Sequence, residues 1–253
     1  MTGRIRSEAA AFLRALGFLT RLPTPAWAVG APAGIAAALR YLPAAGALIG
    51  GAGAAVLLTA GTVLPPAPAV LLSIAATCAL TGALHEDGLA DTFDGLGGGS
   101  RERVLAIMRD SRIGVFGALA VGLVLALKAT ALVAMPAGLA AAALVAGHAA
   151  SRLSSLGVIA TSRYAREAGT AAFTRAGAGG LAVAATTGAL SLAGILVLAG
   201  AGATLAAAAG LVAGHLLARA VFERRLGGYT GDCLGATQQL SEAGLYLGVA
   251  AWL

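Results

Sequence analysis

The chain has 253 residues, of which 58% are hydrophobic and 11% charged, with a mean hydropathy of +0.87. Soluble domains run near about 45–50% apolar with about 25% charge, so this composition excludes an ordinary soluble domain and identifies an integral membrane protein. The net charge of +6 comes from sixteen Arg and one Lys; in a polytopic protein such a balance reports topology before it reports nucleic acid, and no nucleic-acid partner is expected.

Aromatic residues make up only 5%, so the apolar bulk is Ala, Leu, Val and Gly, small residues that let helices approach closely in a lipid bilayer. Cys78 and Cys233 offer neither a disulfide framework nor metal-thiolate spacing. Residues 1–25 carry Arg4, Arg6, Arg14 and Arg21 throughout and do not read as a cleavable leader. No break in composition marks a boundary, so one membrane domain is expected over residues 1–253.

Residues 8–21 form an amphipathic pattern, with Phe12, Leu13, Leu16 and Leu19 on a broad face, ending at Arg21-Leu-Pro-Thr-Pro. Spans of about 20 residues suffice to cross a bilayer. They are expected at 41–64, 67–84, 113–135, 137–160, 180–199, 202–222 and 236–253. The fold class is therefore all-α: a polytopic bundle of about seven transmembrane spans with short interfacial helices. One of these runs Arg101–Arg109, capped by Ser100, with Val104, Leu105, Ile107 and Met108 as an apolar face for the membrane surface. Gln238, Gln239 and Glu242 mark the last span as lining something polar.

Seven spans place segments 1–40, 85–112, 161–179 and 223–235 on one side. Nearly every charged residue falls in them or within a few residues of them, and the opposite turns near 65, 136 and 200 carry none. The positive-inside rule puts the charged side in the cytoplasm.

That side carries an unusual acidic stretch. Five of the eleven acidic residues lie between Glu86 and Glu102. Asp87, Asp91 and Asp94 are spaced 4 and 3 apart, on one face of a helix at about 100° per residue. Leu89, Phe93 and Leu96 take the opposite face, and His85 and Glu86 point away from the Asp stripe. Unpaired carboxylates at i,i+4 repel, and more so in a low dielectric, so the stripe is expected to hold a hard divalent cation. A solvated acidic loop is the plainer alternative. Carboxylates with a cation beside Arg-bearing segments suit a phosphate-bearing substrate.

Other polar residues each carry two readings. Arg109 and Arg112, flanking Asp110, can fork a phosphate or simply anchor the cytoplasmic side. Arg163, Arg166 and Glu167 are similar. Arg152 sits within a span and is costly there unless paired or functional. Gly227-Gly-Tyr-Thr-Gly-Asp before a helix has the look of an anion-binding loop, with Gly231 giving backbone access. Asp232 is its N-cap or a fourth metal ligand. His85 is a candidate base or substrate contact; His148 and His215 are expected to be packed. Lys128 lies mid-span without a partner in the sequence.

Five blocks in order resemble the bacterial cobalamin synthase family, the adenosylcobinamide-GDP ribazoletransferases. They are Phe18-Leu-Thr-Arg-Leu-Pro, Gly82-Ala-Leu-His-Glu-Asp-Gly-Leu-Ala-Asp-Thr-Phe-Asp-Gly, Ile107-Met-Arg-Asp-Ser-Arg-Ile-Gly, Ser162-Arg-Tyr-Ala-Arg-Glu-Ala-Gly and Gly227-Gly-Tyr-Thr-Gly-Asp-Cys-Leu-Gly-Ala. Glu86 departs from relatives that often carry an apolar residue there. The resemblance implies that adenosylcobinamide-GDP and α-ribazole, or α-ribazole 5′-phosphate, are the substrates. The ribose 3′-hydroxyl would displace GMP in a multi-pass enzyme of the bacterial inner membrane whose site faces the cytoplasm. It implies Mg²⁺ on Asp87, Asp91 and Asp94, with Asp94 by analogy the carboxylate that takes the hydroxyl proton and His85 a second catalytic candidate. Arg21, Glu86, Arg109, Asp110, Arg112, Arg152, Arg166, Gly231 and Asp232 would then contact substrate or phosphate. A homo-oligomer stays open. The enzyme rival is a CDP-alcohol phosphotransferase, whose pattern has Arg where this chain has Asp91. A transporter is disfavoured because the carboxylates collect at one face and no internal repeat appears.

Overall fold

Apolar runs separated by charged loops fold into helices because a chain in lipid must satisfy its own backbone groups. The structure, a computed structural model, describes residues 2–29, 35–166 and 178–253. Among these are twelve α-helices: α1 (Thr2–Leu19), α2 (Ala26–Val29), α3 (Ile35–Leu39), α4 (Leu42–Ala60), α5 (Pro66–Thr81), α6 (Leu84–Asp94), α7 (Arg101–Ile107), α8 (Val115–Val133), α9 (Ala137–Thr161), α10 (Ala178–Ser191), α11 (Ala193–Leu226) and α12 (Gly231–Trp252). Among the described residues β pairing is limited to one parallel bridge, Tyr164 to Tyr229.

By length and composition, four helices among the described residues can cross a membrane: α4, α8, α9 and α11. The pair α5 and α6 makes a fifth if read as one broken span. The seven expected spans thus meet a stricter outcome. α5 has 16 residues and α10 has 14, and α12 carries Asp232, Gln238, Gln239 and Glu242. The turn expected between spans five and six is present, at Gly200, and a further break at Leu192 was not expected. α10 stops at Ser191, and α11 runs on from Ala193 with its direction broken at Gly200, where φ is 80°.

α9 is the central helix: 78% of its apolar window is buried, against 17% for α11. Close crossings hold the bundle. A Cβ at Gly46 or Gly50 of α4 would run into the α9 backbone at His148 or Leu144. Gly210 and Gly214 of α11 meet the α12 backbone at Gly244 and Leu240 in the same way. Such small-residue contacts supply packing where lipid removes the hydrophobic drive between helices. Leu119, Leu123 and Leu127 of α8 form an exposed apolar side.

At one end α5 stops abruptly. Gly82 and Ala83 both adopt left-handed backbone, with φ of 67° and 56°, and α6 leaves α5 at 89°. Glycine takes this conformation freely, whereas Ala83 bears a cost of about 1–2 kcal/mol. The Arg21 side chain lies over Gly82, and its backbone N–H donates to Leu80 O at 2.9 Å. α6 therefore turns away from α5 across the end of the bundle. Its apolar face, Leu89 and Phe93, packs on Ala120 and Val124 of α8 and Ala236 of α12.

Ser100 caps α7 as expected, accepting from the Arg103 N–H at 3.3 Å. Its apolar face is not spent on the membrane surface, however. Val104 and Met108 are buried against Gly95 and the Phe222–Leu226 end of α11.

The middle of the bundle holds a network of charges. Lys128 Nζ of α8 lies 3.0 Å from Glu242 Oε1 of α12 and donates to Gln239 Oε1 at 2.6 Å. Arg152 of α9 lies 3.9 Å from Glu242 and donates to His148 O at 2.7 Å. Gln238 and Tyr246 also donate to Glu242. Gln239 Nε2 then reaches Glu86 Oε1 of α6 at 2.9 Å. Lys128 is thereby explained: its partners lie on another helix. Glu242 pairs with both buried cations, so Glu242→Gln is expected to cost about 3–5 kcal/mol by removing that partner from each. Lys128→Met, which leaves Glu242 with Arg152, should cost less. Thermal unfolding in detergent tests the ranking, and equal costs would refute it.

Candidate active site

The site starts from a contact between two glycines. Gly88 of α6 crosses the first turn of α12 so closely that a Cβ would strike the Asp232 backbone, and Gly235 lies against the backbone of His85 and Gly88. The crossing brings Asp232 to the face of α6 that carries Asp87 and Asp91. Asp232 is not the N-cap. Thr230 is, accepting from the Cys233 N–H at 3.4 Å while its hydroxyl donates to Asp232 Oδ2 at 3.2 Å.

Two loops far apart in the chain then close over this corner. Tyr229 N–H donates to Arg163 O, and Ala165 N–H to Tyr229 O, both at 2.8 Å. The Tyr164 and Tyr229 rings meet edge to face at 5.5 Å. Arg101 ties both loops, donating to Ala165 O at 2.6 Å and Leu226 O at 3.0 Å. Held this way, Arg166 donates to Asp232 Oδ2 at 2.9 Å. Glu167 lies outside the described residues.

The carboxylates repel. Burial, then Asp232, Asp87 and Asp94 in turn, push Asp91 up to about 7, against the pull of Arg166. Burial raises Asp232 as well; Arg166 and the Thr230 hydroxyl pull it down, and Asp87 adds to the rise. This donor set, hard oxygens short of positive charge, fits a divalent cation such as Mg²⁺. As placed, no three His, Cys, Asp or Glu side chains among the described residues stand close enough to share an ion.

Asp94 has a different role in the structure from its two stripe-mates. Its Oδ2 accepts from the Gly114 N–H at 2.7 Å and its Oδ1 from the Gly117 N–H at 2.8 Å. It caps the start of α8, and a Cβ at either glycine would collide with it. Both carboxylate oxygens are thus engaged by backbone amides at the helix N-terminus.

Beside Asp87 and Asp232 opens a cleft of about 240 Å³. His85, Arg152, Ser155 and Gly231 also line it, among apolar side chains from α1, α4, α6, α9 and α12. Ser155 donates to Leu234 O at 3.0 Å. Sequence reasoning passed over Ser155, because serine in an apolar helix carries no signal of its own.

The remaining expected contacts lie elsewhere. Arg112 and Asp110 pair with each other at 2.6 Å on the surface, which holds Asp110 down to about 2. Arg109 is exposed. Neither these nor Arg21 line the cleft. Glu86 turns into the bundle, toward Gln239 and Cys78. His215 is hydrogen-bonded, its Nδ1 2.8 Å from Ser154 Oγ.

Comparison with known proteins gives a consistent result. The sequence profile of the cobalamin-5-phosphate synthases matches residues 11–250. The adenosylcobinamide-GDP ribazoletransferase of Leptothrix cholodnii is 46% identical over 97% of this chain and 96% of its own. That of Ralstonia nicotianae is 46% identical over 100% of this chain and 99% of its own. That of Ralstonia pickettii is 42% identical over 98% of each. No solved structure matches the chain.

Two substitutions separate the carboxylates. Asp94→Ala removes a cap and should destabilise by about 1–2 kcal/mol. Asp91→Asn relieves repulsion and should not destabilise the metal-free protein. With chelator present, folded Asp91 keeps a proton between its ordinary value of 3.8 and about 7 that the unfolded chain has lost. Its share of stability therefore falls as pH rises through that window. Thermal melts should show a steeper fall over this window in wild type than in Asp91→Asn; equal slopes would count against the crowding.

Proposed function

The chain belongs to the cobalamin-5-phosphate synthase family, and on that premise we propose that it is an adenosylcobinamide-GDP ribazoletransferase. It joins adenosylcobinamide-GDP to α-ribazole or α-ribazole 5′-phosphate, gives adenosylcobalamin or its phosphate, and releases GMP. The observation that carries the site is the convergence of Asp87, Asp91 and Asp232 beside a partly apolar cleft. The enzyme sits in the bacterial inner membrane with this end toward the cytoplasm, in keeping with the one-sided charge.

In the reaction the ribose 3′-hydroxyl oxygen forms a bond to the phosphorus attached to cobinamide. The bond from that phosphorus to the bridging oxygen breaks, and GMP leaves. Asp87, Asp91 and Asp232, which do not stand close enough to share an ion as they are placed, would close on Mg²⁺ together with the substrate pyrophosphate, and the ion would supply charge neutralisation to the pyrophosphate and the departing phosphate. Arg166 fixes Asp232 in place and lends positive charge to the same corner. Of the two proton acceptors the sequence offers, Asp94 has both oxygens engaged by α8, whereas His85 lines the cleft. We therefore assign to His85 the proton of the attacking hydroxyl, and to Asp94 the fixing of α6 against α8.

Purified protein in detergent should release GMP only when both substrates and Mg²⁺ are present, and EDTA should stop it. Folded Asp91→Asn should lose at least about 100-fold in rate. Unchanged release from the variant would sink the metal assignment. CMP release from a CDP-alcohol with a lipid alcohol, and none of GMP, would replace the reaction.

A further inference from the structure

The cleft beside Asp87 has two unlike halves. Its rim holds the carboxylates. Its walls are Phe18, Leu42, Leu84, Ile159 and Leu234, from five different helices. The deep side holds Arg152, whose side chain is only 2% exposed. One edge of that guanidinium, Nη1, is spent on His148 and faces Glu242. Its Nε is buried with no partner. A buried donor left unpaired is uncommon and costly, and a bound acceptor removes the cost.

We propose that this cleft is the subsite for the aromatic base of the ribazole acceptor, with Ile159 and Leu42 gauging the base and Arg152 Nε–H reading its free ring nitrogen. The inference rests on the transferase reading above and deepens it. Three observations lead to it. The first is size. At about 240 Å³ the cleft falls below the range of about 300–1,000 Å³ usual for drug-sized ligands. It has room for a bicyclic base and part of its sugar, and none for a corrin macrocycle.

The second is polarity. A benzimidazole riboside presents a hydrocarbon ring edge and one in-plane lone pair, on the imidazole nitrogen that does not carry the sugar. Five apolar walls and a single unpaired donor complement that pattern. Guanine, the other base in the reaction, has N–H groups along its pairing edge. Those need acceptors. The carboxylates of this cleft, Asp87 and Asp232, lie at the rim that the reacting phosphates need, and the apolar walls supply none, so burial of those N–H groups among the walls would oppose binding. The third is placement. A base seated among Leu42, Ile159 and Leu234 leaves its ribose at the Asp87 and Asp232 rim, beside His85, where the attacking hydroxyl is needed.

The test is calorimetric binding of α-ribazole and of GMP to the full-length protein in detergent, for wild type, Ile159→Trp and Ile159→Ala. Ile159→Trp fills the cleft and should weaken α-ribazole at least about tenfold, with GMP moved less than about twofold. Ile159→Ala lengthens the cleft and should raise affinity for a naphthimidazole riboside, one ring longer, relative to α-ribazole. A gain of that kind cannot come from misfolding. Weakened GMP binding with α-ribazole unchanged would overturn the proposal and give the cleft to the donor nucleotide. Indifference of α-ribazole to both substitutions would overturn it too. Binding needs no turnover: Ile159-dependent binding of α-ribazole without GMP release would refute the transfer reaction while leaving the subsite standing.

Discussion

The crossing of α6 over α12 at Gly88 and Gly235 is the contact on which the site depends. Backbones meet there with no Cβ between them. Two carboxylates from one helix and one from the next therefore share a corner despite their repulsion. The helices are held together by packing on their other faces, where Leu89, Ala236, Ala243 and Val124 form a small apolar cluster. Electrostatic strain at the corner is thus balanced by burial behind it. This division suits a cation site, because the ion need only relieve the repulsion and does not have to assemble the fold.

The same logic explains the charges in the core. An ion in a low-dielectric bundle is costly, and pairing recovers the cost only with good geometry. Glu242 meets Lys128 from α8, Arg152 from α9, and Gln238 and Tyr246 from its own helix. Through Gln239 the network reaches Glu86, on the side of α6 away from the Asp stripe. α6 is thereby pinned at three places: Glu86 to the core, Gly88 to α12, and Asp94 to the start of α8. A helix that crosses the end of a bundle has few ways to be held, and here its polar residues supply most of them.

Much of this was legible in the sequence. Composition identified the membrane class. The stripe at 87, 91 and 94 was read on the correct face of a helix, with Leu89 and Phe93 opposite. What stayed hidden depended on partners distant in the chain. Lys128 finds Gln239 a full 111 residues away. Asp94 looked like its stripe-mates because helical periodicity reports a face and not what stands against it. The glycines that receive it, Gly114 and Gly117, belong to another helix. The span count was less legible: α12 is polar along one side and α10 is short, so hydropathy and length give different answers there.

Arg152 connects the two halves of the molecule. Its Nη1 faces the Glu242 network while its Nε lies unpaired in a side chain that lines the cleft. A guanidinium is planar and keeps its charge, so fixing one edge fixes the direction of the other. Anchoring the Nη1 edge to a buried carboxylate holds the Nε donor still without consuming it. A lysine could not do both, because its single ammonium would be drawn wholly to Glu242. The core network is in this sense joined to the site: the residue that lines the cleft is held from behind by Glu242 and His148.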